Sequence, residues 1–573
     1  MEWELDSFFK GSSYESYLSS LKKESLDFLT NYKDRLSSLT LEEFSKAIQR
    51  YEEIEEKIAH IQSYSYLKFA KDTTLGSELH KSELQTDEIS QNILFFTIEF
   101  NTLNADKQEQ IISYLPKYSY FLTLLKKRKK HQLSLKEESL LLKLEPLGKE
   151  SFTRLFDESF SKFKFELSGK NYSLEELLSN FSSDDRKLRK DSSLALSKTL
   201  EQNSHLLTFI YNMVRSDLKI KSELRGYKEP EESMHLYNQI EKKSLDSLIK
   251  ASESSFYLVG NYYERKRQIL GYDELFDYDR YAPIAKEIEI PFDEAKRVVV
   301  DSFAKFSPKF KEIALKAFSE NWIDAYPTKD KIGGAFSLTS TKQTHPHILL
   351  NYMNKSRDLF TLAHELGHGV HQYLSYDVGY LNSDTPLVMA ETASIFCEML
   401  IFDTLIKKVS KKEKVALLAT KLEDIFATLY RQINFTTFER IVHAKDGELS
   451  SDEIGEIWLK ESVKMFDGKV KLNPYYKSWW SYIPHFFHTP FYCYSYSYAK
   501  LLVLSLFKLY KSGKYSDFSD RYIEFLSLGG SKSPKELVAI FGLDIEDVSF
   551  WKNGILLIQE LLDEFLTLSK EQL

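Results

Sequence analysis

Only two cysteines, Cys397 and Cys493, occur in 573 residues, so no disulfide framework can be built, and no CxxC or other thiolate metal pattern is present. Glycine (20) and proline (13) are scarce, which leaves few helix breakers and predicts long helices. No apolar run reaches the length a membrane-spanning helix needs, and the opening MEWELDSFFKGSSYES has acidic residues where a signal peptide has its apolar region. These absences point to a cytoplasmic protein with no membrane partner. An excess of one charge is also lacking: 77 basic against 85 acidic residues gives −8. That argues against nucleic acid, which favours a basic stripe. The one dense basic run, Lys126, Lys127, Arg128, Lys129, Lys130 and His131, reads as a solvated helix end.

Apolar residues make up 42 % of the chain and aromatics 14 %, enough for a large core in more than one ordinary domain. Segments 41–70, 134–147, 240–270, 385–430 and 496–511 carry apolar residues at spacings of three and four, so the expected fold class is mainly α. The Ser-, Asp- and Lys-rich stretch 166–193 is a candidate boundary, giving regions 1–185 and 186–573. A surface loop inside one helical body is the alternative. The exception to helix is 333–352, GGAFSLTSTKQTHPHILLNY, where Gly333 and Gly334 break the chain and His347, Ile348 and Leu349 begin a short strand.

Residues 358–374 read DLFTLAHELGHGVHQYL, and His364-Glu365-Leu366-Gly367-His368 fits H-E-x-x-H. Residues four apart share a helical face, so both imidazoles can meet one zinc ion, and Glu365 can reach a water bound there. Leu359, Leu362, Leu366, Val370 and Tyr373 form an apolar stripe, with His364, His368 and His371 opposite. That pattern suits a helix that buries its stripe and turns the histidines into a cleft. A metzincin would need Gly at position 371 and His at 374, where this chain has His371 and Leu374. The third ligand is therefore sought in the next helix, DTPLVMAETASIFCEML (384–400), with Asp384 or Thr385 as cap and Pro386 in the first turn. Glu391 and Glu398 lie seven apart among apolar residues, a costly placement without a cation or hydrogen-bond partner. Zinc on Glu391, with Glu398 bonding a ligand histidine from behind, satisfies both.

At these residues the sequence resembles a known family. HELGHxxH (364–371), AETAS (390–394) with Glu398, HPHILLNY (345–352) and HFFHTPFYCYSYSYA (485–499) are similar to the M3 or thimet oligopeptidase family of metallopeptidases, nearest its oligoendopeptidase F branch. The overlap runs from about 200 to the C-terminus. The resemblance implies two helical lobes around a deep channel, zinc on its floor, a small sheet along one wall, and cleavage of short unstructured peptides. It implies ligands His364, His368 and Glu391, general base Glu365, and His371 behind the ligands. For 485–498, packing is the plain reading of the tyrosines. The resemblance instead favours His485, Tyr492 and Tyr496 as donors to the reaction's oxyanion, with Tyr494 an alternative because the spacing does not map cleanly.

The strand at 345–352, with His347, Ile348 and Leu349, is expected to bind substrate backbone by strand addition, with Gly333 and Gly334 letting the adjoining loop approach. Two other readings stand beside the endopeptidase. A carboxypeptidase would need a cation for the substrate's C-terminus, for which Arg357 and Arg431 are available. A peptide-binding protein with a structural zinc would need a fourth protein ligand, for which His371 is available. No motif speaks to oligomeric state, and a monomer is the expectation.

Overall fold

The computed structural model describes residues 2–284 and 289–570. They are mainly helical, with two small sheets. No described helix is long and apolar enough to cross a membrane. The chain forms two compact units, each gathered from three segments. One comprises Met1–Lys129, Glu287–Lys408 and Tyr515–Leu543; the other comprises Lys130–Lys286, Val409–Lys514 and Asp544–Leu573.

In the first unit, helix α1 (Leu41–Lys71) starts at Thr40, whose hydroxyl accepts from the Glu43 N–H while the Glu43 carboxylate accepts from the Thr40 N–H. Its residues Phe44, Ile48, Ile54, Ile58 and Ile61 are buried at helical spacing in one core with Phe96 and Phe100. A three-stranded sheet follows later in the chain: β1 (Ile323–Asp324), β2 (Phe336–Leu338) and β3 (His347–Leu349). Its order is β1-β3-β2. Ile323 pairs with Ile348 in parallel, and Phe336 and Leu338 pair with Leu349 and His347 antiparallel.

This order corrects one expectation. The strand at 347–349 is central, so its backbone is used on both sides; the Ile348 N–H, for example, donates to the Trp322 carbonyl at 2.7 Å. His347, Ile348 and Leu349 are at most 2 % exposed. A peptide cannot add to this strand, because a ladder has only two sides. Among the described residues the outer side of β2 has no strand partner.

Helix α2 (Ser356–Ser375) carries the H-E-x-x-H motif. Its start is fixed by Asp358, whose carboxylate accepts from the Met353 and Lys355 N–H groups. Leu359, Leu362, Leu366 and Val370 are fully buried, as the wheel predicts, while Tyr373 is only partly so. Helix α3 (Thr392–Leu405) crosses α2 at Gly367. A Cβ on residue 367 would lie 2.7 Å from the Ser394 Cα and 2.8 Å from the Ala393 carbonyl oxygen. Those are backbone atoms that cannot step aside, so only glycine permits this crossing.

In the second unit, α4 (Arg431–His443) leaves a π-helical turn, Phe426–Tyr430. Helix α5 (Tyr494–Lys511) packs on α6 (Val548–Lys570), and Leu501 through Leu504 are buried all round. The stretch 166–193 is folded inside this unit. It holds part of a hairpin, Phe165–Leu167 with Lys170–Tyr172, and the start of helix Arg186–Gln202, tied down by the buried Arg189–Asp279 pair at 3.0 Å. The segment 240–270 is two helices, Lys242–Glu253 and Phe256–Leu270, and 385–430 contains three, Leu387–Ala390, α3 and Lys411–Ile425, ending in the π-helical turn.

Replacing Gly367 with Ala is predicted to force α2 and α3 apart and to destabilise the unit by about 1–3 kcal/mol. Denaturant unfolding followed by circular dichroism reads the stability, and metal analysis after dialysis reads the site. Wild-type values in both would show that the helices do not depend on this crossing.

Candidate metal centre

Three donor atoms converge where α2 meets the start of α3. The His364 Nε2 lies 3.2 Å from the His368 Nε2, and the Glu391 Oε2 is 3.2 Å from the first and 3.3 Å from the second. They form a nearly equilateral triangle. Among the described residues this is the one group of three or more His, Cys, Asp or Glu placed to hold a metal ion.

Each donor has a local reason for its position. The histidines are one helical turn apart on α2. Glu391 is not inside a helix, as the sequence suggested, but at a break between the short helix Leu387–Ala390 and α3. That short helix begins after Pro386, and neither Asp384 nor Thr385 caps it. The break frees the Glu391 carboxylate to turn towards α2. Ser394, one turn on, donates its hydroxyl to the Glu391 Oε2 at 2.7 Å and so fixes that turn. The i, i+3 spacing of Glu391 and Ser394 was visible in the sequence; without the break, it said nothing about a ligand.

Glu398 acts from the other side. Its Oε1 accepts from the His364 Nδ1–H at 2.7 Å, which leaves the His364 Nε2 lone pair facing the triangle. The donors together with Glu398 make two carboxylates and two imidazoles, and their electrostatics ask for a cation. Burial alone would lower the His364 pKa, but hydrogen bonds and charge from Glu391 and Glu398 push it up to about 10. Burial would raise the Glu391 carboxyl, yet the two histidines hold it far below the usual carboxylate range. Glu365 is 7 % exposed, and burial raises its carboxyl above the ordinary value, with His364 and His368 pulling it back in part. His371 stands outside the donor group. It is buried, and burial lowers it to about 3, so its imidazole is uncharged in the core. The three-donor group leaves a metal position open, unlike a closed structural zinc site.

The other expected residues fall elsewhere. Gly334 has φ +83° and Gly333 and Gly334 both meet open space where a Cβ would be. The Gly334 carbonyl accepts from the Asn351 side chain at 2.9 Å. Arg357 is 63 % exposed beside Asp358.

In the second unit, three of the aromatic candidates do come together. The His485 Nε2 and the Tyr496 hydroxyl are 3.2 Å apart, His485 stacks on Tyr492 at 5.8 Å, and the Tyr492 and Tyr496 rings meet edge to face at 5.1 Å. Tyr492 lies just before α5 rather than on it. Tyr494 is a core residue instead, its hydroxyl bound by the Asn238 amide at 2.9 Å, and Tyr498 is buried against Ser244 at 2.6 Å. His488 is exposed and pairs with Asp157. No local pattern foretells that Arg431 adjoins His485, whose pKa is lowered first by burial and then by the charges of Arg431 and His488.

With the geometry in hand, likeness to known proteins becomes informative. The family model described as peptidase family M3 matches residues 180–556, and a second, described as oligopeptidase F, matches residues 99–165. The likeness therefore reaches well into the N-terminal region. The chain is 28 % identical to the oligoendopeptidase F homologue of Borreliella burgdorferi, covering 98 % of this chain and 97 % of that protein. It is 27 % identical to the oligopeptidase PepF of Bacillus subtilis, covering 98 % and 86 %. By fold, it matches a solved structure from Chlamydophila abortus with TM-score 0.86 at 23 % identity, over 99 % and 98 % of the two chains. The oligoendopeptidase-F from Enterococcus faecium matches with TM-score 0.71 at 20 % identity, over 97 % and 98 %. The first match alone spans well over half of the chain, so the protein belongs to peptidase family M3, in its oligopeptidase F branch.

Proposed function

We propose that this metallo-oligopeptidase is a zinc endopeptidase, cutting internal bonds of short unstructured peptides with His364, His368 and Glu391 as metal ligands and Glu365 as general base. The donor triangle carries the reading. Ligands at roughly 2.0–2.1 Å from a tetrahedral zinc are about 3.3–3.4 Å from one another. The observed edges of 3.2–3.3 Å match that spacing. Two imidazoles and a carboxylate with an open position suit zinc in a catalytic role. Bound there, zinc supplies a Lewis acid for the attacking water and the scissile carbonyl.

The chain's own residues do the rest. Glu365 takes a proton from the attacking water and returns it to the leaving amine, and its raised pKa brings both transfers nearer to neutral pH. Glu398 keeps His364 in the tautomer a ligand needs. In the second unit, His485 and Tyr496 are a hydrogen-bonded donor pair suited to a developing oxyanion. The lowered pKa of His485 keeps it neutral, so its ring shares one N–H donor with the tyrosine hydroxyl. For backbone binding, the free side of β2 takes the place of β3. A division of the chain near 185 is supported only by the gap between the two family matches, 165 to 180, and it falls inside the second compact unit.

Three outcomes test these roles. Glu365→Ala should keep one zinc per chain while kcat falls about 100- to 10,000-fold; retained turnover would remove Glu365 from the mechanism. Glu398→Ala should weaken zinc binding about 10- to 100-fold, read by chelator competition. An unchanged affinity would mean that the Glu398–His364 bond does not orient a ligand. Tyr496→Phe should lower kcat about 100- to 1,000-fold with zinc content intact. If zinc and activity fall together, Tyr496 is a structural residue.

A further inference from the structure

Around Tyr281 the second unit buries more positive charge than the described residues neutralise. Lys266 is fully buried and pairs with Glu423 at 2.5 Å. Arg280, 4 % exposed, meets no carboxylate. Its Nε donates to the Asp277 carbonyl at 3.1 Å, and its guanidinium lies 5.2 Å and 5.4 Å from the Tyr281 and Tyr476 rings. Arg431 meets no carboxylate either. Its Nη1 donates to the Tyr281 hydroxyl at 3.0 Å, its guanidinium lies 5.0 Å from the Phe435 ring, and its Nε is buried without a hydrogen-bond partner. Among the described residues, three cations thus face one carboxylate.

The aromatic rings offset part of that cost through their negative faces. They cannot accept the in-plane Nε–H of Arg431, and a buried donor without an acceptor is destabilising. The planar guanidinium fork matches a carboxylate in shape and charge. Access exists, because Arg431, Tyr281, Tyr482 and His485 are each only partly buried. Arg431 also follows directly on the π-helical turn Phe426–Tyr430, a distortion that aims side chains at functional sites. It is close enough to His485 for its charge to lower that histidine's pKa.

We infer that Arg431, backed by Arg280 and Tyr281, binds a carboxylate of the peptide substrate. Two sources offer that group: the peptide's C-terminus and an acidic side chain. The inference rests on the peptidase reading, through the adjoining His485–Tyr496 pair. It adds a preference that the oxyanion role of that pair does not require.

One internally quenched peptide made in four versions separates the cases: fully neutral with an amidated end, free C-terminus only, internal Glu N-terminal to the cut, and internal Glu C-terminal to it. The wild-type protein should cleave one carboxylate version with kcat/KM about tenfold or more above the neutral version. Which version gains identifies the source. In Arg431→Gln the ratio of that version to the neutral one should fall to about one, whereas Arg431→Lys should keep part of it. Equal kcat/KM on all four in the wild type, or an undiminished ratio in Arg431→Gln, overturns the site. The wild-type comparison stands even if a variant misfolds. If the neutral peptide is cut in a chelator-sensitive way without discrimination, only the carboxylate site fails. If no version is cut with zinc supplied, the peptidase reading fails and takes this inference with it.

Discussion

The centre depends on how closely two helices can pass. A metal ion of about 2 Å bond length needs its donors within a few ångströms of one another, whatever the size of the protein around them. The two histidines satisfy this by helical periodicity alone. Glu391 reaches them only because α2 and α3 touch backbone to backbone at Gly367, opposite Ala393 and Ser394. The glycine inside H-E-L-G-H therefore has a spatial role as definite as that of the histidines. It sets the distance over which the carboxylate must reach, and the break at Glu391 sets the direction.

Charge placement follows from the same crossing. Glu391, at the break before α3, and Glu398, on α3, are brought into a largely apolar setting, where an unpaired carboxylate is expensive. Each finds His364, one through Nε2 and the other through Nδ1. Without an ion the cluster draws a proton onto that imidazole, and the same attraction serves a divalent cation. Glu365 is buried beside these groups but outside the donor triangle, so burial raises its pKa. One helix thus presents two kinds of acid–base environment within two residues.

The second unit uses aromatic residues to hold polar groups in place. His485 stacks on Tyr492 and both meet the Tyr496 ring edge to face, while Tyr281 and Tyr476 lie beside the Arg280 guanidinium and Phe435 beside that of Arg431. Tyrosine suits this because its ring packs as an apolar body and its hydroxyl still bonds. The many tyrosines of the chain are in this sense divided. Tyr494 and Tyr498 spend their hydroxyls inside the core, on Asn238 and Ser244, whereas the Tyr496 hydroxyl meets His485.

The sequence by itself determined the helical class, the two histidines one turn apart on α2 with Glu365 between them in the chain, and the carboxylates Glu391 and Glu398 in the segment that follows. Those are matters of local periodicity and of the cost of burying charge, and both can be read along the chain. Tertiary structure alone decided the rest. It made β3 central and closed it to a peptide, because strand order depends on partners distant in sequence, here Trp322 and Asp324. It set Glu391 at a helix break, left His371 outside the donor triangle, bonded Tyr496 and not Tyr494 to His485, and brought Tyr281 and Arg280 beside Arg431 across about 150 residues of chain. Contacts of that separation depend on how whole helices pack, and no local pattern encodes them.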